Sequence, residues 1–372
     1  MHICSLIAIV GVTYKSKIYL SDEGYGHIVR QRAVIEELKT LAPGIDLTLQ
    51  TGVHMDAARR SIPGLRYTDR FNNIVWHKLA NGSPDVESIR NQYSTYVQDS
   101  ESLVKREMEE RESVDFLISD FVYEAFEIAE RKGIPSFGVA HFTWDWFFSK
   151  LYPPIGSDII YHMIRMAEKA TRLYFPPFTP KEITDYYHKK VKHVPLIIRS
   201  EIDHKVSEQR DTFRVLIMDS GAGVLAASIE RALEGMREMS DVTFFVSDKF
   251  TSNLPNIIRI PESDLMIDYI ADMDLVIGRA GFNTISECIG LRTPMLLIGE
   301  AMNPEMNENI LALKKQHLGS FVSLDTFEND LQKFLPAFLN HEYKFICQQM
   351  KDHDMQTNGA EVIARDILEH LS

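Results

Sequence analysis

Cysteine is scarce in this chain: three residues in 372, Cys4, Cys288 and Cys347, none in a CxxC or Cys/His spacing. That excludes a disulfide framework and a zinc module, and it fits a reducing compartment. Positive charge is in deficit as well. A formal charge of −13 disfavours nucleic acid or an anionic membrane as the main partner, although a local basic face is compatible with an acidic whole. No apolar run is long enough to span a bilayer. The opening MHICSLIAIVGV has no basic n-region and no small-residue cleavage signal, and reads as an extra edge strand or a poorly ordered lead. The expected location is the cytoplasm, with peripheral membrane association as the alternative.

Two further absences bear on chemistry. There is no G-x-G-x-x-G and no glycine turn followed by GK[ST], so a dehydrogenase or an NTPase is not the direct reading. No DxD-like pair stands in a convincing place, so no metal is expected, and no cofactor either. Low-complexity tracts are absent.

The chain is too long for one ordinary core, so two domains are expected. A weak internal echo supports that. Lys17-Ile-Tyr-Leu-Ser-Asp22-Glu-Gly24-Tyr-Gly26-His27 runs into IVRQRAVIEELKTL and then Asp46-Leu-Thr-Leu-Gln; Arg214-Val-Leu-Ile-Met-Asp219-Ser-Gly221-Ala-Gly223 runs into VLAASIERALEGM and then Asp241-Val-Thr-Phe-Phe-Val. Each is strand, D-x-G-x-G turn, amphipathic helix, strand, the first crossover of a doubly wound α/β domain. The expected division is residues 1–198, a polar linker at 199–212, and 213–372, with the last amphipathic run packing back on the first domain. Short apolar runs at Asp115–Ser119, Pro135–Ala140, Ile257–Ile260, Asp274–Ile277 and Pro294–Ile298 supply further strands. Residues 81–112 read as one long surface helix.

Glycine turns that feed helices expose backbone N–H groups and the positive end of a helix dipole, which favour an anion. Three occur, at Gly24/Gly26, Gly221/Gly223 and Gly278/Gly281, and each has a plainer reading as a tight turn. His27 follows the first, where the helix start would favour a neutral, proton-accepting imidazole suited to a general base; composition alone favours the plainer reading, a surface histidine at a helix start. Asp22 and Glu23 are neighbouring candidates or simple helix-start charges. Arg279, in GRAGFNTISE, could grip a diphosphate or sit at a strand end. Glu287 could bind a ribose, or could close a capping box with Thr284. Asn303, Glu305, Asn307 and Asn309 could meet a sugar; Asn303 and Pro304 also read as a helix cap. His141, Trp144 and Asp145 follow a strand of the first half in an aromatic cluster.

These motifs resemble GT-B glycosyltransferases of the MurG type: two Rossmann-like halves, a glycine turn ending in His, and R-x-G-x-x-T-x-x-E at Arg279 to Glu287. EGYGHIVR, ISDFVYEAFEIAERKGIPSFGV and HFTWDWFF also resemble the glycosyltransferase-like N-terminal region of L-arabinokinases, with its GFGHATR, SD and NFSWD stretches. The likeness is to the region before the kinase domain, so kinase chemistry is not implied. The resemblance implies an α/β, GT-B fold of two doubly wound domains facing across a cleft. It implies a nucleotide-diphosphate sugar, preferably a UDP-sugar, as donor, held by Gly221, Ala222, Gly223, Arg279, Ala280, Gly281, Asn283, Thr284, Glu287, Asn303, Glu305 and Asn307. His27, with Asp22 and Glu23, would act on an acceptor hydroxyl, and Gly24, Tyr25, Gly26, Asp120, His141, Trp144 and Asp145 would line the acceptor side. Two departures leave the donor sugar open: the second loop reads DSGAG where the family often has GGS, and NPEMNEN replaces a pair of glutamines.

The expected function is therefore metal-independent glycosyl transfer to a small molecule, glycan or lipid-linked acceptor. A nucleotide-sugar hydrolase or 2-epimerase and a non-catalytic nucleotide-sugar-binding protein are the competing readings. Exposure of Phe147, Phe148 and Tyr152 would favour the lipid-linked acceptor.

Overall fold

The computed structural model describes residues 13–372 except positions 24, 71, 73–76, 80–82, 111, 200–211, 220–224, 253, 262–266 and 300–301; of Tyr25 it describes the backbone alone. The expected lead at residues 1–12 and nearly all of the expected linker lie outside the described residues. The chain divides into two compact units, Met1–Trp76 with Glu87–Ile197 and Asn358–Ser372, and His77–Val86 with Ile198–Thr357.

The first unit holds β1 (Lys15–Tyr19), β2 (Asp46–Thr51), β3 (Arg66–Asp69), β4 (Phe116–Ser119), β5 (Ser136–Val139), β6 (Arg172–Phe175) and β7 (Val191–His193) in the order β3-β2-β1-β4-β5-β6-β7, every neighbouring pair parallel. The central strands are apolar on both faces because helices cover both. Ile18 of β1 lies opposite Leu49 of β2 and Ile118 of β4. These three join Val34, Ile35 and Leu38 of the helix Tyr25–Leu41, and Ile363 and Ile367 of the final helix Gly359–Leu371, in one buried cluster. The final helix is also tied by charge: Asp366 accepts from the Tyr174 hydroxyl at 2.7 Å and pairs with Arg172 and Lys192.

The second unit repeats the plan with β8 (Phe213–Met218), β9 (Val242–Ser247), β10 (Ile257–Ile260), β11 (Leu275–Arg279), β12 (Met295–Ile298) and β13 (Ser320–Val322), ordered β10-β9-β8-β11-β12-β13 and again all parallel. In both units the second and third strands are added on one side of the first, and the fourth onward on its other side. Winding therefore reverses between β1 and β4, and between β8 and β11, where such sheets bind ligands beyond the strand ends.

The expected long helix over 81–112 is two helices, Val86–Tyr93 and Tyr96–Met108, separated where the Ser94 N–H and hydroxyl both turn back to the Asn91 carbonyl, at 3.3 and 2.6 Å. Nor is it a surface element throughout. Ile89, Tyr93, Tyr96, Leu103 and Val104 are buried, as is Glu107, whose carboxylate accepts from Lys17 at 2.6 Å and Tyr19 at 2.8 Å and pairs with Arg70. High charge content concealed this burial, because the charges neutralise one another inside.

Glu124, first residue of the helix Glu124–Lys132, is the contrasting case: it is fully buried and, among the described residues, neither carboxylate oxygen has a hydrogen-bond partner. Tyr96 and Ser100 stand beside it without a bond of good geometry, and burial pushes its carboxyl up to about 7. The unfolded chain ionises this group near 4.5, so folding stability falls as pH rises from about 4.5 to about 7 and is level above that. Glu124→Gln should be more stable than wild type at pH 8, by up to about 3 kcal/mol, and no more stable at pH 4.5. Urea unfolding at the two pH values measures this; equal gains at both would refute an unpaired buried carboxyl.

Candidate functional site

In the first unit, Tyr19 at the end of β1 lies opposite Ser119 at the end of β4, and the Asp120 N–H donates to the Tyr19 carbonyl at 2.9 Å. Asp120 and the start of the helix Tyr25–Leu41 therefore meet at the reversal of winding. The next residue, Phe121, has φ of 50°, left-handed backbone that a bulky side chain seldom adopts and that turns the chain away behind the Asp120 carboxylate.

His27 Nδ1 stands 2.6 Å from Asp120 Oδ2. Arg30, one helical turn further on, donates through Nη2 to Asp120 Oδ1, and its Nη1 lies 3.1 Å from Nδ1 of His141. Asp120 is fully buried. Burial works against its charge, yet the Arg30 guanidinium and His27, through charge and hydrogen bonds, outweigh it and hold the carboxyl below its usual range. An anionic Asp120 requires an N–H from Nδ1, which leaves Nε2 of His27 as the proton-accepting nitrogen. Trp144 stacks on the imidazole, with centroids 5.9 Å apart and planes 28° apart, and so fixes its tilt. The result is an imidazole held in one orientation.

Asp22 has a different task. Its Oδ1 accepts from the Thr51 hydroxyl at 3.1 Å and from the N–H groups of Gly52 and Val53 at 2.7 and 2.8 Å, and its Oδ2 accepts from the Asn72 N–H. The carboxylate anchors the loop after β2 and has little capacity left for a substrate proton. Glu23 is half-buried beside it and Gly26 is exposed in the first helical turn, whereas Gly24 lies outside the described residues. His141 and Trp144 are buried at the site. Asp145 is turned inward: it accepts from the Tyr123 hydroxyl, its own N–H donates to the same oxygen at 2.8 Å, and burial raises its carboxyl. Phe147 and Phe148 are buried and Tyr152 is 83% exposed, so the aromatic surface expected for a lipid-linked acceptor does not form from these three.

In the second unit, β11 ends in Gly278-Arg279 and leads through Ala280 and Gly281 into the helix Phe282–Leu291. The two glycines serve different ends. A Cβ on Gly278 would stand 3.3 Å from both Cβ and the carbonyl oxygen of Met218 in β8, so Gly278 permits close approach of the strands. A Cβ on Gly281 would meet nothing within 4 Å among the described residues. Arg279 is buried at the strand end, Asn283 and Thr284 are half-buried in the first turn, and the Ala280 carbonyl is held at 2.9 Å by the Asn309 amide.

The capping box does not form. The helix starts at Phe282 with Gly281 as N-cap and no side-chain cap bond, so Thr284 lies inside the first turn and Glu287 beyond the reach of a cap. Glu287 is 9% exposed and accepts no hydrogen bond from the described residues; burial pushes its carboxyl up to about 7, against the pull of Arg199 and with a push from Asp268. Arg199 is itself buried and paired with Asp268 at 3.3 Å.

The other candidates separate. Asn303 caps the helix Pro304–Gln316, accepting from the Met306 N–H at 3.2 Å; Glu305 is half-buried and Asn307 exposed in its first turn. Gly221, Ala222 and Gly223 lie outside the described residues, but the side chain of Asp219 just before them is buried, accepting from the Leu225 N–H and from Lys249, each at 3.0 Å. Arg30, Arg199 and Asp219 are site residues that the sequence reading missed. Arg30 was findable, because i and i+3 share a helix face and His27 is three residues before it. Among the described residues, no group of three or more His, Cys, Asp or Glu is placed to hold a metal, and no helix is long and apolar enough to cross a membrane.

Residues 236–367 match the model of the glycosyltransferase family 28 C-terminal domain, about a third of the chain. The chain carries that glycosyltransferase domain. Over 303 residues the sequence is 23% identical to L-arabinokinase of Arabidopsis thaliana, covering 77% of this chain and 29% of that protein, so it spans less than a third of this curated relative. The fold is similar to that of a spinosyn rhamnosyltransferase solved with thymidine diphosphate (TM-score 0.65, 14% identity, 95% of this chain and 100% of that one) and of MurG from Acinetobacter baumannii (TM-score 0.59, 14% identity, 96% and 100%). Two parallel sheets with flanking helices, with β9 to β13 of the second inside the family 28 match, make this a GT-B fold.

Removing the anion at the base should cost far more than removing the base. Asp120→Ala leaves the Arg30 guanidinium buried and uncompensated and should lower stability by about 3–5 kcal/mol, whereas His27→Ala, at a partly exposed position, should lower it by about 1 kcal/mol or less. Denaturant unfolding of the two variants measures the contrast, and equal losses would contradict it.

Proposed function

We propose that the protein transfers a sugar from a pyrimidine nucleoside-diphosphate sugar, a UDP-sugar by preference, to an acceptor hydroxyl, without a metal ion. One observation carries the reading: Glu287 is a buried carboxyl with no hydrogen-bond donor among the described residues, on the helix that follows the fourth strand of a doubly wound sheet. Leaving it so is costly unless a ligand supplies hydrogen bonds, and two ribose hydroxyls do so. The family 28 match and the neighbour solved with thymidine diphosphate support the same choice of ligand.

On this reading Arg279 and the start of the helix Phe282–Leu291, with its positive dipole end, neutralise the diphosphate and carry its charge as the leaving group, the role a metal ion would otherwise have. Gly281, where a Cβ would meet nothing within 4 Å among the described residues, gives the phosphates room. In the first unit, Nε2 of His27 takes the acceptor hydroxyl's proton as that oxygen bonds to the anomeric carbon and the bond from that carbon to the diphosphate breaks; Asp120 stabilises the imidazolium that forms.

Calorimetry with UDP, dTDP, GDP, ADP and CDP should find pyrimidine nucleotides bound, and Glu287→Ala should lose that binding while remaining folded. Because the ribose needs the carboxylate, wild-type affinity should fall toward tenfold per pH unit below about 7, as Glu287 protonates, and be level above; Glu287→Gln should lose this dependence. Affinity that is flat from pH 6 to 8.5 would contradict the assignment. His27→Ala should bind nucleotide as wild type does and lose about 10²–10⁴ in transfer rate. Release of free sugar as the main product, whatever acceptor is offered, would turn the reading to hydrolysis.

A further inference from the structure

We propose that Arg199 is a positioning residue of the nucleotide site: it supplies positive charge to the Glu287 carboxylate while Asp268 on the neighbouring helix opposes it, and together they set how firmly the site grips a nucleoside diphosphate. The functional meaning rests on the reading of Glu287 as a ribose ligand; the physical content concerns three side chains of the free protein.

Packing brings the three together. Gly290 follows Glu287 by three residues in the helix Phe282–Leu291 and so shares its face. A Cβ on Gly290 would stand 2.5 Å from Cδ1 of Ile198, so the missing side chain is what lets Ile198 seat itself on that face. Ile198 is buried there, and the next residue, Arg199, is carried alongside the helix. The helix Ile267–Ile270 packs against Phe282–Leu291 as well, tied by the Thr293 hydroxyl, which donates to the Ile270 carbonyl at 3.3 Å, and it carries Asp268. Arg199 Nη2 donates to Asp268 Oδ1, also at 3.3 Å. A buried carboxylate is tolerable as an anion when a cation stands near it, and arginine is the cation that burial does not neutralise. Burial works against the charge of Glu287; Arg199 favours that charge and Asp268 disfavours it. The two neighbours are unequal, because the Arg199 side chain is 9% exposed and that of Asp268 55%, where water screens it. Tyr269, Arg279, Cys288 and His353 are the other titratable groups on the elements around this helix, and none of them is among the charges acting on Glu287. Cys288 is kept a neutral thiol by burial and by Glu287 itself, and His353, at 3.2 Å from the Ile289 carbonyl, is lowered by burial and feels the charges of Arg292 and Asp354. Removing either neighbour of Glu287 therefore changes its ionisation in the direction set by the sign of the lost charge.

Carbon-13 spectra of protein labelled at the glutamate carboxyl carbon, assigned with Glu287→Gln, follow the ionisation of Glu287 with no ligand present. Relative to wild type, the midpoint should rise by about one pH unit in Arg199→Gln, fall by a smaller amount in Asp268→Asn, and stay near the wild-type value in Arg199→Lys, which keeps the charge. Calorimetry with UDP reads the same balance through binding, as the ratio of variant to wild-type affinity, in which the ligand's own ionisation cancels. At pH 7 Arg199→Gln should bind about fivefold more weakly and Asp268→Asn up to about twofold more tightly, and by pH 9, with the carboxyl ionised in every variant, the Arg199→Gln deficit should shrink below about twofold. A deficit of the same size at every pH, or midpoints that move the same way in Arg199→Gln and Asp268→Asn, overturns the proposal. If Arg199→Gln does not fold, Asp268→Asn, at a mostly exposed position, decides alone: a midpoint that rises or stays put overturns it. Midpoints that move as expected in a protein that binds no nucleotide would keep the inference about Arg199 and reject Glu287 as a ribose ligand.

Discussion

A parallel sheet whose first strand lies in its middle must reverse its winding there, and both units of this protein are built on that constraint. The chain goes out from β1 to β2 and β3, returns to β4 and continues the other way; β8 to β13 repeat the course. The helices after β1 and β4, and after β8 and β11, lie on opposite sides of the reversal, so the loops at those strand ends are not covered by a neighbouring crossover. Asp120 and His27 occupy one such place and Arg279, Gly281 and Glu287 the other. Burial of the apolar strands fixes the backbone, and the backbone delivers polar groups to spots that the core leaves unfilled.

What the two places do follows from the surroundings of two buried carboxyls. Asp120 is paired by Arg30 and His27 and stays an anion in spite of burial, which lets it orient and stabilise an imidazole. Glu287 is buried and accepts no hydrogen bond from the described residues, and burial pushes its carboxyl up to about 7. Environments that separate similar groups in this way commonly mark different roles. Glu124 shows the limit of that argument: it is equally shifted, but it lies at the first turn of a helix among core residues and carries no binding geometry.

Much of this was legible in the sequence. The paired strand–turn–helix echoes, the continuous apolar runs and the glycines before Arg279 and His27 announced two doubly wound halves, because strand burial and turn chemistry are local. Long-range pairings were not legible. Nothing near Asp22 says that Thr51, Gly52, Val53 and Asn72 converge on it, and nothing near Asp145 names Tyr123. Thr284 to Glu287 spells a capping box, yet the strand ends early enough for Gly281 to cap the helix, which sets Glu287 free. The charged stretch before β4 misled for the same reason: Glu107 finds Lys17, Tyr19 and Arg70 from other elements and goes inside.

The central claim is that the Glu287 carboxylate binds ribose hydroxyls, and a double-mutant cycle between protein and ligand tests it most directly. Affinities of UDP and of its 2′-deoxy and 3′-deoxy forms would be measured on wild type and on Glu287→Ala at pH 8. The account predicts that at least one hydroxyl deletion costs wild type about tenfold or more, a charge-assisted bond of about 1.5–3 kcal/mol, and costs the variant nothing. Equal losses in both proteins would show that the ribose is held elsewhere and that Glu287 is not its ligand.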